Sequence, residues 1–263
     1  MLTLTLAQMR RSLPRLTAAG IAIVIGAAFV AATLLAGNLI TRATYDAIAA
    51  QYAHADLVIE VPDGAALTDA DVEAARTTPG VAVAAGTLQS LQSLASGART
   101  IYQAVIPTAP DPRLIPLTLA DGDWPAGPGQ IALPPDVADR LGVDVGDAVK
   151  LDSTSQAQDS QVVTVTGLVN DPRNAYGGQG GAAVMDAAAL HALVTAQAGG
   201  YPDAVAYTDV AVVLAGRADI EAVRTALRDA VPTASGVVTP DEHAQAKADA
   251  MTGATTSSSW CSS

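Results

Sequence analysis

The residues of this chain that could do chemistry are few and scattered. Three histidines, His54, His191 and His243, would be the natural metal ligands or general bases, yet they lie far apart and none has a second ligand at metal spacing. Each reads as an ordinary polar residue. No Gly-x-Ser-x-Gly elbow, Ser-x-x-Lys pair or His-Glu-x-x-His segment occurs. Carboxylates are plentiful, but Asp111, Asp121, Asp123, Asp136 and Asp147 sit in turn or helix-cap contexts that account for them structurally. The glycine-rich run Tyr176 to Gly181, within Asn170 to Gly181, invites a phosphate-loop reading and fails it, because no Lys-Ser or Lys-Thr follows. It reads as a flexible connector. Trp124 could be a binding contact, although its loop setting favours a packing anchor, and the lone Cys261 has no partner for a disulfide. These patterns assign no catalytic, cofactor-binding or metal-binding residue. The chain is expected to be non-enzymatic.

The elements around these residues say more. Leu16 to Thr41 is an uncharged stretch of 26 residues bounded by Arg15 and Arg42. At about 1.5 Å per helical residue it exceeds the roughly 20 residues that cross a bilayer core. Arg10, Arg11 and Arg15 precede it with no acid among them, and the first acid, Asp46, follows it, so the positive-inside rule keeps the amino terminus cytoplasmic. A cleaved signal peptide is the alternative, since small residues such as Ala31, Ala32 and Ala36 are present, but its apolar region usually spans only about 7 to 15 residues. Ala18, Ala22 and Gly26 form a small-residue stripe that either pairs helices or arises from the high alanine content.

Beyond the span, 11 basic residues face all 26 acidic ones, a formal charge of about −15. Such a surface repels phosphate, which excludes nucleic acid as a partner. Acidity of this kind serves solubility. Aromatics make up only 3% of the chain, so the core must be built from Val, Leu, Ile and Ala.

The exported part has a repeated grammar. Asp56 to Val61 reads as a strand, Asp69 to Thr77 as a helix opened by a capping box from Thr68 and Asp71, and Val81 to Gly86 as a second strand. Asp209 to Ala215, Ala218 to Ala230 and Gly236 to Val238 repeat this order, and the run beginning Asp71-Val72-Glu73-Ala74 matches Asp219-Ile220-Glu221-Ala222. Duplication and chance both account for the match. Either way, two β-α-β units can pack as one split-βαβ, ferredoxin-like lobe. Between them, Val105 to Pro107, Leu114 to Leu117 and Gln161 to Val169 read as strands, Asp121 to Gly127 as a turn-rich loop, and Pro135 to Leu141 as a helix stopped at Gly142. That texture suits a β-rich insertion. Thr239-Pro240-Asp241-Glu242 starts a last helix, expected to end at Met251.

Three stretches carry a resemblance. They are Met1 to Arg11 running into Leu16 to Ile40; the β-α-β unit beginning Ala55-Asp56-Leu57-Val58-Ile59-Glu60-Val61; and Asp121-Gly122-Asp123-Trp124-Pro125 through Gly129 to Leu133 and Ala138 to Asp147. In order and spacing they resemble permease subunits of ATP-binding-cassette (ABC) transporters of the MacB, LolC/E and FtsX type. The resemblance implies an α+β chain with a cytoplasmic segment (1–16), a transmembrane helix (17–40) and an extracytoplasmic MacB-like core domain (41–251), while the Ser- and Thr-rich end (252–263), which has no helical or strand pattern, reads as a disordered tail. Within the core domain the resemblance implies a ferredoxin-like lobe, about 55–87 and 205–240, and a β-rich insertion, about 88–204. It also implies a separate cytoplasmic ABC ATPase subunit, a homodimer or heterodimer of permeases in the bilayer, no cofactor in this chain, and export, extraction or mechanotransmission driven by ATP. Family members continue into further spans, whereas Met251 here precedes a polar tail, so the expected product is truncated or frameshifted before its FtsX-like membrane domain. A single-span anchored binding or scaffolding protein is the alternative.

Overall fold

The computed structural model describes residues 2–62, 64–153, 161–197 and 206–257. The chain divides into two compact units, one holding the residues up to Thr44 and from Ala248 onward, the other Tyr45–Lys247.

The first unit is dominated by helix α1 (Leu2–Gln51), which continues into the second unit for its last residues. From Gly20 the helix is long and apolar enough to cross a membrane, and none of that apolar window is buried within the protein. Phe29 and Ile23 are each more than 70% exposed. A helix that is apolar on every side is matched to a lipid environment rather than to one flank of a soluble core. Thr33 and Thr41 remove their hydroxyls from that surface by donating to the carbonyls of Phe29 and Gly37.

Within Tyr45–Lys247, the first sheet has four strands: β1 (Leu57–Glu60), β2 (Val81–Thr87), β10 (Asp209–Leu214) and β11 (Gly236–Val238). Their order is β11-β1-β10-β2, with antiparallel neighbours throughout. With helices α2 (Asp69–Thr77) and α5 (Ile220–Ala230) after β1 and β10, this is the split-βαβ arrangement expected from the repeated grammar. The helix starts are local chemistry: Thr68 and Asp71 form the reciprocal capping box, and Asp219 caps α5 by accepting from the Glu221 N–H. The matched runs therefore enter their helices differently, Asp71 in the first turn and Asp219 at the cap. Their core-facing positions nonetheless coincide, Val72 with Ile220 and Ala75 with Val223.

Strand alternation gives this sheet two faces. Leu57, Ile59, Val210 and Val212 point toward α2 and α5 and are fully buried. Val58 and Ala211 point the other way and pack against Tyr52, just past the end of α1.

The remaining strands, β3 (Ser90–Ser96), β4 (Arg99–Pro107), β5 (Thr118–Gly122), β6 (Gln130–Leu133), β7 (Ala148–Ser153), β8 (Gln161–Asn170) and β9 (Ala183–Met185), form the second sheet. They follow the order β5-β8-β6-β9-β4-β3-β7, and β7 pairs again with β8. That extra pairing closes six strands into a ring, with β5 laid beside the far end of β8. Closure removes the exposed edges that an open sheet would present. Val163 and Val165 of β8 alternate inward with Ile131, Leu151 and Met185, and helices α3 (Pro135–Leu141) and α4 (Ala187–Gln197) bury Leu141 and Leu190 against the same core. Gly142 ends α3 in the left-handed conformation at φ 68°, as its position in the sequence required.

The folded chain departs from the sequence expectations in several places. Leu114 to Leu117 is not a strand: Pro112–Leu114 forms a 3₁₀ turn capped by Asp111, because Pro112 and Pro116 lack the N–H groups a ladder needs. The loop expected at Asp121 begins instead inside β5, where Gly122 at φ 71° brings its backbone against Thr166 and Gly167 of β8, too close for any side chain. Asn170 to Gly181 is an organised turn rather than a flexible connector. Asp171 accepts from the Ala175 and Tyr176 N–H groups, and Tyr176 is buried. Helix α6 (Pro240–Ser257) passes the expected boundary at Met251, since Gly253 alone does not stop a helix. Residues 258–263, the rest of the expected tail, lie outside the described residues.

The two lobes are latched by one side-chain cluster. Tyr207 donates to Asp69 of α2 at 2.8 Å, and His191 of α4 meets the other oxygen of the same carboxylate at 2.9 Å. The Tyr207 ring lies over Gly86 and packs against both hydrophobic cores. A Cβ at Gly86 would fall 2.4 Å from a Tyr207 ring carbon. Gly86→Ala is therefore expected to cost about 1 to 3 kcal/mol, the usual penalty of overpacking. Urea unfolding of the full chain in detergent, followed by circular dichroism, checks this. An unchanged midpoint would show that the ring moves aside freely.

Candidate functional site

Strand β1 places Glu60, and strand β10 places Asp209, on the sheet face away from α2 and α5, and the register sets these two carboxylates directly opposite each other. Like charges in that position repel, so the surroundings must compensate. Two helix ends supply the compensation. Tyr52, just beyond α1, donates its hydroxyl to Asp209 Oδ2 at 3.2 Å. His243, in the first turns of α6, places Nδ1 2.6 Å from Glu60 Oε1. The Tyr52 and His243 rings meet edge to face with centroids 4.9 Å apart.

This cluster is buried: His243 is 2% exposed and Asp209 and Tyr52 are each 5% exposed. Burial pushes the Asp209 carboxyl above the ordinary carboxylate range, and the nearby His243 and Lys247 only partly offset that. Burial also raises the Tyr52 phenol well above its usual value, so it stays protonated and able to donate. Asp209 Oδ1 is buried without a hydrogen-bond partner.

Around the cluster, the same two helices touch once more, where Tyr45 donates to Asp241 at 3.2 Å. Thr239 and Glu242 form the capping box that begins α6, and the Thr239 N–H lowers the Glu242 carboxyl below its usual range. The last turn of α1 and the first turns of α6 are thus fastened to one sheet face. The arrangement holds a phenol, an imidazole and two carboxylates together.

The other residues singled out by type and spacing disperse. His54 is exposed, and His191 serves the Asp69 latch. Asp111 holds the Arg113 N–H and guanidinium, which lowers its carboxyl to about 2. Asp121 and Asp147 accept backbone N–H groups within their turns. Trp124 packs against the cluster containing Tyr176 and Val184. Among the described residues, no three His, Cys, Asp or Glu side chains converge as metal ligands. Glu60 and Asp209 were not among the residues singled out by type and spacing. The signal they carry in the sequence is an acid at the end of an otherwise apolar strand, twice.

A small cavity of about 60 Å³ lies between the sheet and the barrel, bordered by Tyr52, Thr87, Ile106, Leu114 and Tyr176. It has room for little more than water.

A family model described as the MacB-like periplasmic core domain matches residues 16–230. Among solved structures, the periplasmic region of MacB from Actinobacillus actinomycetemcomitans is similar at a TM-score of 0.53 and 9% identity, over 74% of this chain and 92% of that one. At that identity the likeness speaks for the fold alone. The extracellular domain of the noncanonic ABC-type transporter YknZ from Gram-positive bacteria aligns at a TM-score of 0.49 and 14% identity, over 70% of this chain and 98% of that one. Among curated protein sequences, none matches.

Proposed function

Because the chain belongs to the MacB-like periplasmic core domain family, we propose that it is a permease subunit of an ABC transporter, in which a separate cytoplasmic ATPase drives movement of the extracytoplasmic domain. On this reading residues 1–16 are cytoplasmic, 17–40 cross the membrane and the domain over 41–251 stands outside, with Arg10, Arg11 and Arg15 fixing the orientation. The chain itself does no hydrolysis. It passes motion from the ATPase to a cargo or a partner outside, and a second permease completes the assembly.

One observation carries this reading at the level of the domain. The end of α1 and the start of α6, elements far apart in sequence, are bound to each other and to one sheet face through Tyr45, Asp241, Tyr52 and His243. Two helices gripped in this way can move the sheet as a body. A binding module that merely hung from an anchor would not need the second grip.

The orientation is tested by cysteine labelling in intact cells. In a Cys261→Ser background, Ala98→Cys, exposed beside the β3–β4 turn, is expected to react with a membrane-impermeant maleimide. Labelling only after lysis would reverse the topology. The ATPase is tested with a photo-crosslinking residue at Gln8, in the amino-terminal segment. Capture of a P-loop ATPase, identified by mass spectrometry, is expected; crosslinks to lipid alone would favour the anchored scaffolding reading.

A further inference from the structure

We propose that Asp209 is a proton-binding site whose ionisation loosens the seating of α6 on the split-βαβ sheet. The proposal reaches beyond the transport reading and does not depend on it, since it concerns an equilibrium internal to Tyr45–Lys247.

The geometry is that of a carboxylate placed where its charge is poorly served. Asp209 is 5% exposed, one of its oxygens has the Tyr52 hydroxyl at 3.2 Å, and the other is buried with no partner. Directly across the strand pair lies Glu60, whose own carboxylate is turned to His243. A buried ionised oxygen without a donor is costly. A proton on Asp209 removes that penalty and leaves the Tyr52 hydroxyl bond in place. Losing that proton can be tolerated in one other way, by letting water reach Oδ1. Tyr52, which donates to Asp209, meets the His243 ring of α6 edge to face.

The groups facing Asp209 come from every element around it. Tyr52 follows α1, Glu60 is on β1, Thr87 is opposite on β2, the Thr208 hydroxyl precedes Asp209 in the chain and favours its ionised form, and His243 and Lys247 come from α6. His243 and Lys247 favour the ionised form, and burial favours the proton; burial is the larger effect. A carboxyl whose value is raised in the folded arrangement stabilises that arrangement fully below its ordinary range, and the contribution is lost as pH rises through the raised value. Acid therefore tightens the seat and alkali loosens it. His243 sits at the point of release, since it belongs to the element that must move.

The experiment follows hydrogen exchange at the His243 amide, which donates to the Thr239 carbonyl at 2.9 Å, in the full chain held in lipid nanodiscs. After correction for intrinsic exchange, the opening equilibrium is expected to rise about tenfold for each pH unit between the ordinary carboxylate value and the raised one, then level off. In Asp209→Asn, which keeps an acceptor for Tyr52, the curve is expected to be flat. A wild-type curve without this rise, or the same rise in Asp209→Asn, overturns the proposal. If that variant fails to fold, the carboxyl ¹³C titration of Asp209 in the wild-type chain decides. A midpoint above about 4 supports the site, and one at or below that value sinks it.

Discussion

Ile131→Ala will destabilise the Tyr45–Lys247 unit by about 3 to 5 kcal/mol, the largest single-residue effect expected in the protein. Ile131 is fully buried in β6, which pairs in parallel with β8 and antiparallel with β9 inside the closed ring. Its side chain fills the barrel with Val165 and Met185. In an open sheet, neighbouring strands could shift inward over the lost volume. A ring closed through β7 and β8 resists that collapse, so the cavity persists and the cost lies toward the upper end of the usual range. Native stability is only about 5 to 15 kcal/mol, so a loss of this size leaves a sizeable unfolded fraction in mild denaturant. Chemical unfolding of the full chain, with Ile131→Val as the companion variant, makes the comparison. The valine variant should lose only about 1 kcal/mol. An alanine variant as mild as the valine one would show that the barrel relaxes.

The second large effect belongs to the fastening of α6. His243→Ala removes the group at 2.6 Å from Glu60 and the ring that covers Tyr52, leaving two opposed carboxylates without their aromatic lid. Breaking a fully buried pair costs about 3 to 5 kcal/mol, but the Glu60 side chain keeps 20% exposure, so about 2 to 3 kcal/mol is expected here. The loss should be local as well as global. Exchange protection is expected to fall first over Thr239–Lys247 while the barrel strands keep theirs. Protection falling equally throughout would mean that α6 and the barrel open as one unit. His243→Asn, which can return a donor to Glu60, should recover part of the loss.

What the sequence discloses of this fold depends on distance along the chain. The capping boxes of Thr68 with Asp71 and of Thr239 with Glu242 were readable because each is complete within four residues. The α+β class and the ferredoxin-like lobe followed from two copies of one local grammar, and the sheet order agrees with them. Strand β3 was missed because Leu91 and Leu94 lie three apart, and the polar residues Gln92 and Ser93 between them are buried in the folded protein. No pattern of apolar residues announces a strand whose inward positions are partly glutamine. Closure of the barrel was equally hidden, since it rests on Lys150 meeting Val162 and Ala95 across unrelated parts of the chain. For Glu60 and Asp209 the sequence carries only half the signal. Each alone is a charged residue at a strand end, and only the register sets one beside the other.

In the transporter proposed above, nucleotide-driven motion reaches the outer domain through the fastened ends of α1 and α6. Hydrogen exchange at Tyr45–Tyr52 and Thr239–Lys247 tests this, measured in membranes holding the full chain with its captured ATPase, with and without ATP. Protection at these two segments should change on ATP addition, and the change should be lost in His243→Ala, while the barrel core around Ile131 and Val165 stays as it was. Identical exchange at both segments in the two nucleotide states would contradict transmission through the two helices.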